Sequence, residues 1–429
     1  MNEMNLAEPD GHDRARRAIR LGVADSQPND LLQPLGHSGG HSHIHGSGRP
    51  ASRHVRRLLA GIVVPLIVLT VAAMIAMWPA SSQRRSRLSA PSPSQGLIAA
   101  KVIAVIPEPC TNAIEGESGV TYCDVVEIEL SSGTRTAFEN PPRNGIRIRR
   151  GDSIYVDGFP VVTASGGSRM QYSFYDFKRE RPLAVLLIAF SAVAIAIGRS
   201  RGVRALLALA ISLGVLGAFM LPAIVDGRPP LLVALVGSSA VMFLALYLSH
   251  GINVRTTSAV VGTIVSLGIT GVLASIAVST ARFTGLGGEE TSYLRATSDS
   301  IDLRGLLLAG IIIGALGVLD DVTITQSSAV WELHQANPTL GFVGLYNAAL
   351  RIGRDHIASA VNTLVLAYAG ASLPLLLLFT QVGTPFGELF NGEPVATEIV
   401  RMLAGSIGLM ASVPITTALT ALVVAQDRP

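Results

Sequence analysis

Apolar positions along this 429-residue chain follow two patterns. Eight runs, at 58–78, 182–198, 203–225, 230–249, 257–281, 303–319, 357–379 and 397–425, are almost continuously hydrophobic. Each is close to the roughly 20 residues that an α-helix needs to cross the hydrocarbon of a bilayer. The expected fold is therefore mainly α: a polytopic membrane bundle of about eight transmembrane helices, with a seven-helix body over 182–425. Between the first and second runs the period falls to two, over KVIAVI at 101–106, VVEIEL at 125–130 and IRIRRGDSIYVDGF at 146–159. Alternation rich in β-branched residues, bounded by Gly, Pro, Asn and Ser, predicts short strands. Ser132-Gly133 and Arg150-Gly151-Asp152 read as turns. The segment 96–164 is expected to be a small extracytoplasmic β-barrel of OB-like or SH3-like type between helices one and two.

Residues 1–55 fit neither pattern, being polar and rich in Gly, Ser and Pro. They predict a disordered, His-rich cytoplasmic tail. His37, His41, His43 and His45 in GHSGGHSHIHG offer imidazoles that can chelate a transition metal, although no Cys or carboxylate joins them at fixed spacing. The alternative is a low-complexity tail with no such role. With so long a leader, the run at 58–78 is expected to be a retained signal anchor rather than a cleaved signal peptide.

Composition agrees with the membrane reading: mean hydropathy is +0.46 and only 15% of residues are charged. The net charge of +3 comes almost wholly from Arg, since Lys occurs only at Lys101 and Lys178. No basic stripe with interleaved aromatics marks a nucleic-acid surface, so none is expected as partner. Short loops sort the charges: Arg199, Arg201, Arg204, Arg255, Arg351 and Arg354 share one side, and Asp226, Glu289, Glu290, Glu388 and Glu393 enrich the other. That asymmetry predicts both termini in the cytoplasm. Cys110 and Cys123, the only cysteines, fall in the extracytoplasmic segment, where a disulfide is permitted.

The stretch at 306–338 concentrates the unusual chemistry. Gly310, Gly314 and Gly317 form a small-residue stripe of the kind that lets helices approach closely in lipid, with Gly262, Gly268, Gly271, Gly405 and Gly408 as expected partners. The apolar run then stops at Asp320 and Asp321. One reading makes these acids a proton or cation site, since acids at a membrane edge are costly to keep. The other makes one acid the N-cap of a following helix and pairs the second with Arg351 or Arg354. On a continuous helix adjacent acids diverge by about 100° and form no dyad. Asp321, Thr325, Ser328, Glu332 and Gln335 recur at helical spacing. They predict a cytoplasmic amphipathic segment over 322–337, with Trp331 at the interface and its end at Asn337-Pro338. Asn362 and Thr363, in an apolar helix, are expected to find interhelical partners. Pro374 and Pro414 are candidates for kinks. No phosphate loop, His-Glu-x-x-His helix or Gly-x-Ser-x-Gly elbow occurs, so neither an enzyme nor a cofactor is expected.

The segments GALGVLDDVTITQSSAVWELHQANP, GRDHIASAVNTLVLAYAGASLPLLLLF and RMLAGSIGLMASVPITTAL resemble the YibE/F-like family of bacterial multi-pass membrane proteins, over roughly 96–425. The resemblance implies a bacterial plasma-membrane protein and makes Asp320, Asp321, Gln326, Ser327, Glu332, Arg354, Asn362 and Thr363 the motif-matching positions. It transfers no catalytic role. Two functions are then expected. One is a transporter-like permease or permease subunit for a small solute or ion. The other is a scaffold or sensor whose β-domain binds a protein partner.

Overall fold

The structure, a computed structural model, describes residues 52–79, 97–109, 122–140, 146–162, 167–297, 301–381, 383 and 385–426. His37, His41, His43 and His45 lie outside these residues, as does Cys110.

A first helix, α1 (Arg53–Ala76), is capped by the Ser52 hydroxyl, which accepts from the Val55 amide. A single antiparallel sheet follows, with β1 (Ile98–Pro109), β2 (Tyr122–Leu130), β3 (Arg135–Asn140), β4 (Ser153–Val162) and β5 (Ser168–Phe177) in the order β3-β2-β1-β4-β5. Alternation along the strands puts Val102, Val126, Ile128, Ile154 and Val156 on one buried face. Gly133 and Gly151 turn the chain with φ of +82° and +92°, values that glycine adopts without a Cβ clash. The expected barrel does not close. Among the described residues β3 and β5 approach each other but are each hydrogen-bonded on one side alone, whereas a closed barrel needs a ladder between them. The sheet also runs past 164, because β5 pairs with β4 along Val156↔Phe174 to Val162↔Ser168. The run at 146–159 is interrupted at Gly151, and its strand begins only at Ser153. Cys123 at the start of β2 is disulfide-bonded. At the foot of the sheet the Arg179 guanidinium donates to Asp176 and holds that carboxyl below its ordinary range.

The helical body comprises α2 (Glu180–Gly198), α3 (Ser200–Val225), α4 (Pro230–His250), α5 (Val254–Thr280), α6 (Glu289–Thr297), α7 (Leu303–Ala336), α8 (Phe342–Ala371), α9 (Leu373–Gln381), α10 (Phe386–Asn391) and α11 (Glu393–Ala425). Among the described residues seven helices are long and apolar enough to cross a membrane, or eight if α8 and α9, bent by 55°, count as one span. This is a membrane protein. Pro222 lacks an amide proton, and the turn before it, Leu216–Met220, widens to π geometry. Pro374 bends the α8–α9 junction at Ser372, whereas α11 continues through Pro414 without a break. Asn253 caps α5 by accepting from the Thr256 amide at 2.9 Å, and Asp302 caps α7 by accepting from Gly305 at 3.0 Å.

The largest departure from expectation is α7. The helix does not end at Asp320-Asp321 but runs 34 residues to Ala336, roughly 50 Å at 1.5 Å per residue. Residues 322–336 are therefore its second half and not a separate surface segment. Their inner face, with Val322, Gln326, Ser327 and Val330, is buried, while Asp321, Thr325, Glu332 and Gln335 are exposed. The sequence periodicity was helical throughout; what stops at Asp320 is only the all-round hydrophobicity, because beyond it one face of α7 has no protein cover.

Candidate functional site

The interior of the bundle is polar along one seam, where α5, α7 and α11 meet and α8 closes one side. Its construction starts from spacing. Ser258, Gly262, Ser266 and Thr270 recur every four residues on α5, and Gly408, Ser412, Thr416 and Thr420 do so on α11. Residues at i and i+4 stack on one helix face, so each helix presents a ridge of small polar groups. The ridges interlock antiparallel. A Cβ on Gly262 would overlap the Thr416 hydroxyl, and one on Gly408 would overlap that of Thr270. Close approach thus joins α5 to α11. Of the expected α7 stripe, Gly317 faces open space, while Gly310 and Gly314 face side chains: Arg401 Nη2 is 3.7 Å from a Cβ built on Gly310, and the Tyr368 hydroxyl overlaps one built on Gly314.

Helix α7 enters this seam through three buried polar residues. Thr323 shares a 2.7 Å hydrogen bond with the Thr263 hydroxyl. Gln326 donates to the Ala349 carbonyl of α8 at 2.8 Å and to the Thr417 hydroxyl of α11 at 2.7 Å. Ser327 donates to the Arg255 carbonyl at 2.8 Å and accepts from Thr420 at 3.3 Å. Most other hydroxyls bond back to their own helix, as Ser266 does to Gly262 and Thr417 to Val413. Thr416 and Ser406, both buried, have hydroxyls with no partner among the described residues. Side-chain hydroxyls at such spacing can ligate a cation or relay a proton, and here they are packed closed.

Charges sit at both ends of the seam. Asp320 lies on the face of α7 where Leu316 and Ile324, one turn either way, belong to the same buried cluster as Met242, Phe243 and Leu246 of α4 and Val260 of α5. Its Oδ1 is shielded and has no hydrogen-bond partner among the described residues. Asp321 points outward and is exposed, as the 100° divergence on an unbroken helix requires. Neither acid caps a helix, and neither forms an ion pair with Arg351 or Arg354 among the described residues, because those arginines occupy the outer face of α8. Glu332 reaches Arg255 at 3.9 Å, an exposed and weak pair. Toward the other end, Arg401 donates to both oxygens of Glu398, at 2.8 and 3.0 Å, with about a quarter of each side chain exposed (27% and 25%).

Of the eight motif positions, then, Asp320, Gln326 and Ser327 reach the interior, whereas Asp321, Glu332, Arg354, Asn362 and Thr363 face outward. Among the described residues the expected interhelical partners of Asn362 and Thr363 do not appear: both are exposed, and the Thr363 hydroxyl donates to the Ser359 carbonyl of its own helix. The Glu398–Arg401 pair had no place among the sequence expectations, and Glu393 entered them only as a loop charge. The latter accepts from the Thr284 and Gly285 amides at 2.9 and 2.7 Å and fastens the loop after α5 to the start of α11. The i, i+3 spacing of opposite charges inside an apolar run was the available signal for the pair. Among the described residues no three His, Cys, Asp or Glu side chains gather into a metal set.

A family model described as YibE/F-like protein matches residues 186–426, more than half of the chain and all of the seam, leaving the sheet outside. No curated protein and no solved structure matches.

Proposed function

The chain belongs to the YibE/F-like protein family, and on that premise we propose that it is a permease, or the membrane subunit of one, moving a small ion or an ion-coupled small solute. One observation carries the reading: among the described residues Asp320 keeps a shielded carboxyl oxygen without a donor, beside a hydroxyl seam between three candidate spans. An acid on a membrane helix costs on the order of 3 kcal/mol, so one retained without a neutralising partner is suited to binding a proton or cation in turn. Thr323 lies one turn away, with its hydroxyl on both Thr263 and the Asp320 carbonyl, and links that acid to the seam. The Arg-rich loops support both termini on the cytoplasmic side of a bacterial plasma membrane. No residue is assigned a catalytic role.

The test is flux into vesicles reconstituted with the full chain, read by a pH-sensitive dye and with a panel of monovalent and divalent cations. Asp320→Asn is expected to reduce flux tenfold or more, and Asp321→Asn to change it less than twofold. Flux indifferent to Asp320→Asn would remove the acid from the mechanism.

A second reading, a sensor or scaffold, is favoured by edge strands β3 and β5, which among the described residues have no ladder on one side, since an edge strand is a template for an added strand of a partner protein.

A further inference from the structure

The outward faces of the peripheral helices differ in kind. On α2 that face is Leu183, Leu186, Leu187, Phe190 and Ile197, all exposed and all apolar, as a lipid-facing helix should be. Helix α8 buries Leu345, Ala349, Gly353 and Leu364 against α7 and α11, and turns the opposite side outward. That side carries Asn347, Arg351, Arg354, Asp355 and Asn362, all exposed, with exposed Val343 and Leu366 beside them. The stripe from 347 to 362 is about 22 Å long at 1.5 Å per residue. Its depth follows from its neighbours. Gly353 packs on Gln326 and Val413 and the Tyr368 hydroxyl reaches Gly314, so Asn362, between them on α8, lies deeper along α7 than Asp321. An amide facing hydrocarbon at that depth is unfavourable, and polar residues in membranes face protein or a wet cavity, while the charges at 351–355 lie nearer the cytoplasmic end of the same stripe.

We propose that this face is covered by a second copy of the chain, making the protein a two-fold dimer through α8. Charge complementarity selects that occupant. The stripe carries both signs at one level, Arg354 next to Asp355, and an isologous pairing about an axis along the membrane normal puts like residues at like depth. Asp355 of each copy then meets Arg354 of the other, twice over, while the two Asn362 side chains meet near the axis. Ala358 and Ser359, between the charges and the amides, are small enough to let the two backbones approach. A basic or an acidic partner would satisfy only half of this face. The inference is independent of whether the seam transports anything.

The experiment uses the full chain in native membranes. Asn362→Cys treated with a thiol-specific bifunctional reagent is expected to give a species of twice the mass, and Leu186→Cys on α2 is expected to give none. Differently tagged copies carrying Arg354→Asp alone, or Asp355→Arg alone, should co-purify at least tenfold less than wild type. Co-expressing one with the other should restore capture, because the mixed pair is again complementary. Thermal melting of each variant separates lost pairing from lost folding, and the cysteine crosslink stands even if a charge variant fails to fold. Crosslinking of residue 362 only to a different protein, no crosslink at all, or charge variants that pair like wild type would each overturn the dimer.

Discussion

At the scale of single residues, glycines on neighbouring helices have opposite sensitivities. Alanine is favoured over glycine in a helix by about 1 kcal/mol, so Gly→Ala should stabilise wherever space allows. Gly317 has nothing within 4 Å of its would-be Cβ, and Gly317→Ala is expected to raise the melting temperature of the detergent-solubilised protein. At Gly408 the new Cβ would coincide with the Thr270 hydroxyl on a tightly packed α5, and overpacking costs roughly 1–3 kcal/mol, more than the propensity gain. Gly408→Ala should therefore lower the melting temperature, and a rise at both positions would show that the ridges do not interlock. The acids make a similar point. That Asp320 and Asp321 diverge was legible from helical geometry alone; that Asp320 is the inward one depends on which side of α7 receives α4 and α5.

Among elements, α7 and α11 show what a hydrophobicity profile misses. Both run beyond 30 residues, longer than the roughly 30 Å hydrocarbon layer requires, and both exchange lipid-facing apolar surface for buried polar contacts along their length. Cysteine substitutions along the second half of α7 should reveal this as a period. Positions 321, 325 and 332 are expected to be alkylated at least fivefold faster than 322, 326 and 330 in purified protein. Uniform reactivity from 322 onward would mean a detached surface helix instead. The prolines divide by position: Pro374 sits one residue into α9, where its missing donor ends α8, whereas α11 absorbs Pro414 within its packed length.

For the whole molecule, the sheet and the bundle have separate hydrophobic cores: Val102, Val126, Ile128, Ile154 and Val156 in one, and Phe219, Met242, Val260, Ile312 and Leu319 in the largest cluster of the other. Replacing residues 97–177 by a short Gly/Ser linker is expected to leave the bundle melting within a few degrees of wild type, since none of its clusters loses a member. The same deletion separates the two functional readings. Flux that survives it supports the permease. Flux that survives while cellular function is lost assigns that function to the sheet, and unfolding of the bundle would refute the separate cores.

The sequence alone determined that the chain is a bundle of long apolar helices and roughly where each apolar run lies, the β character of the segment between the first two, the turns at Gly133 and Gly151 and the family. Each of these follows from local periodicity, length or backbone freedom, properties that a stretch of chain carries before it meets any other. Tertiary structure decided the rest. Whether the sheet closes, whether α7 stops at its acids, which of Asp320 and Asp321 turns inward, and that Asn362 and Thr363 face out of the bundle all depend on which helix or strand covers which face. Cover is a relation between distant segments, and a hydroxyl or carboxylate has the same local signature whether its face meets α5, α11 or nothing.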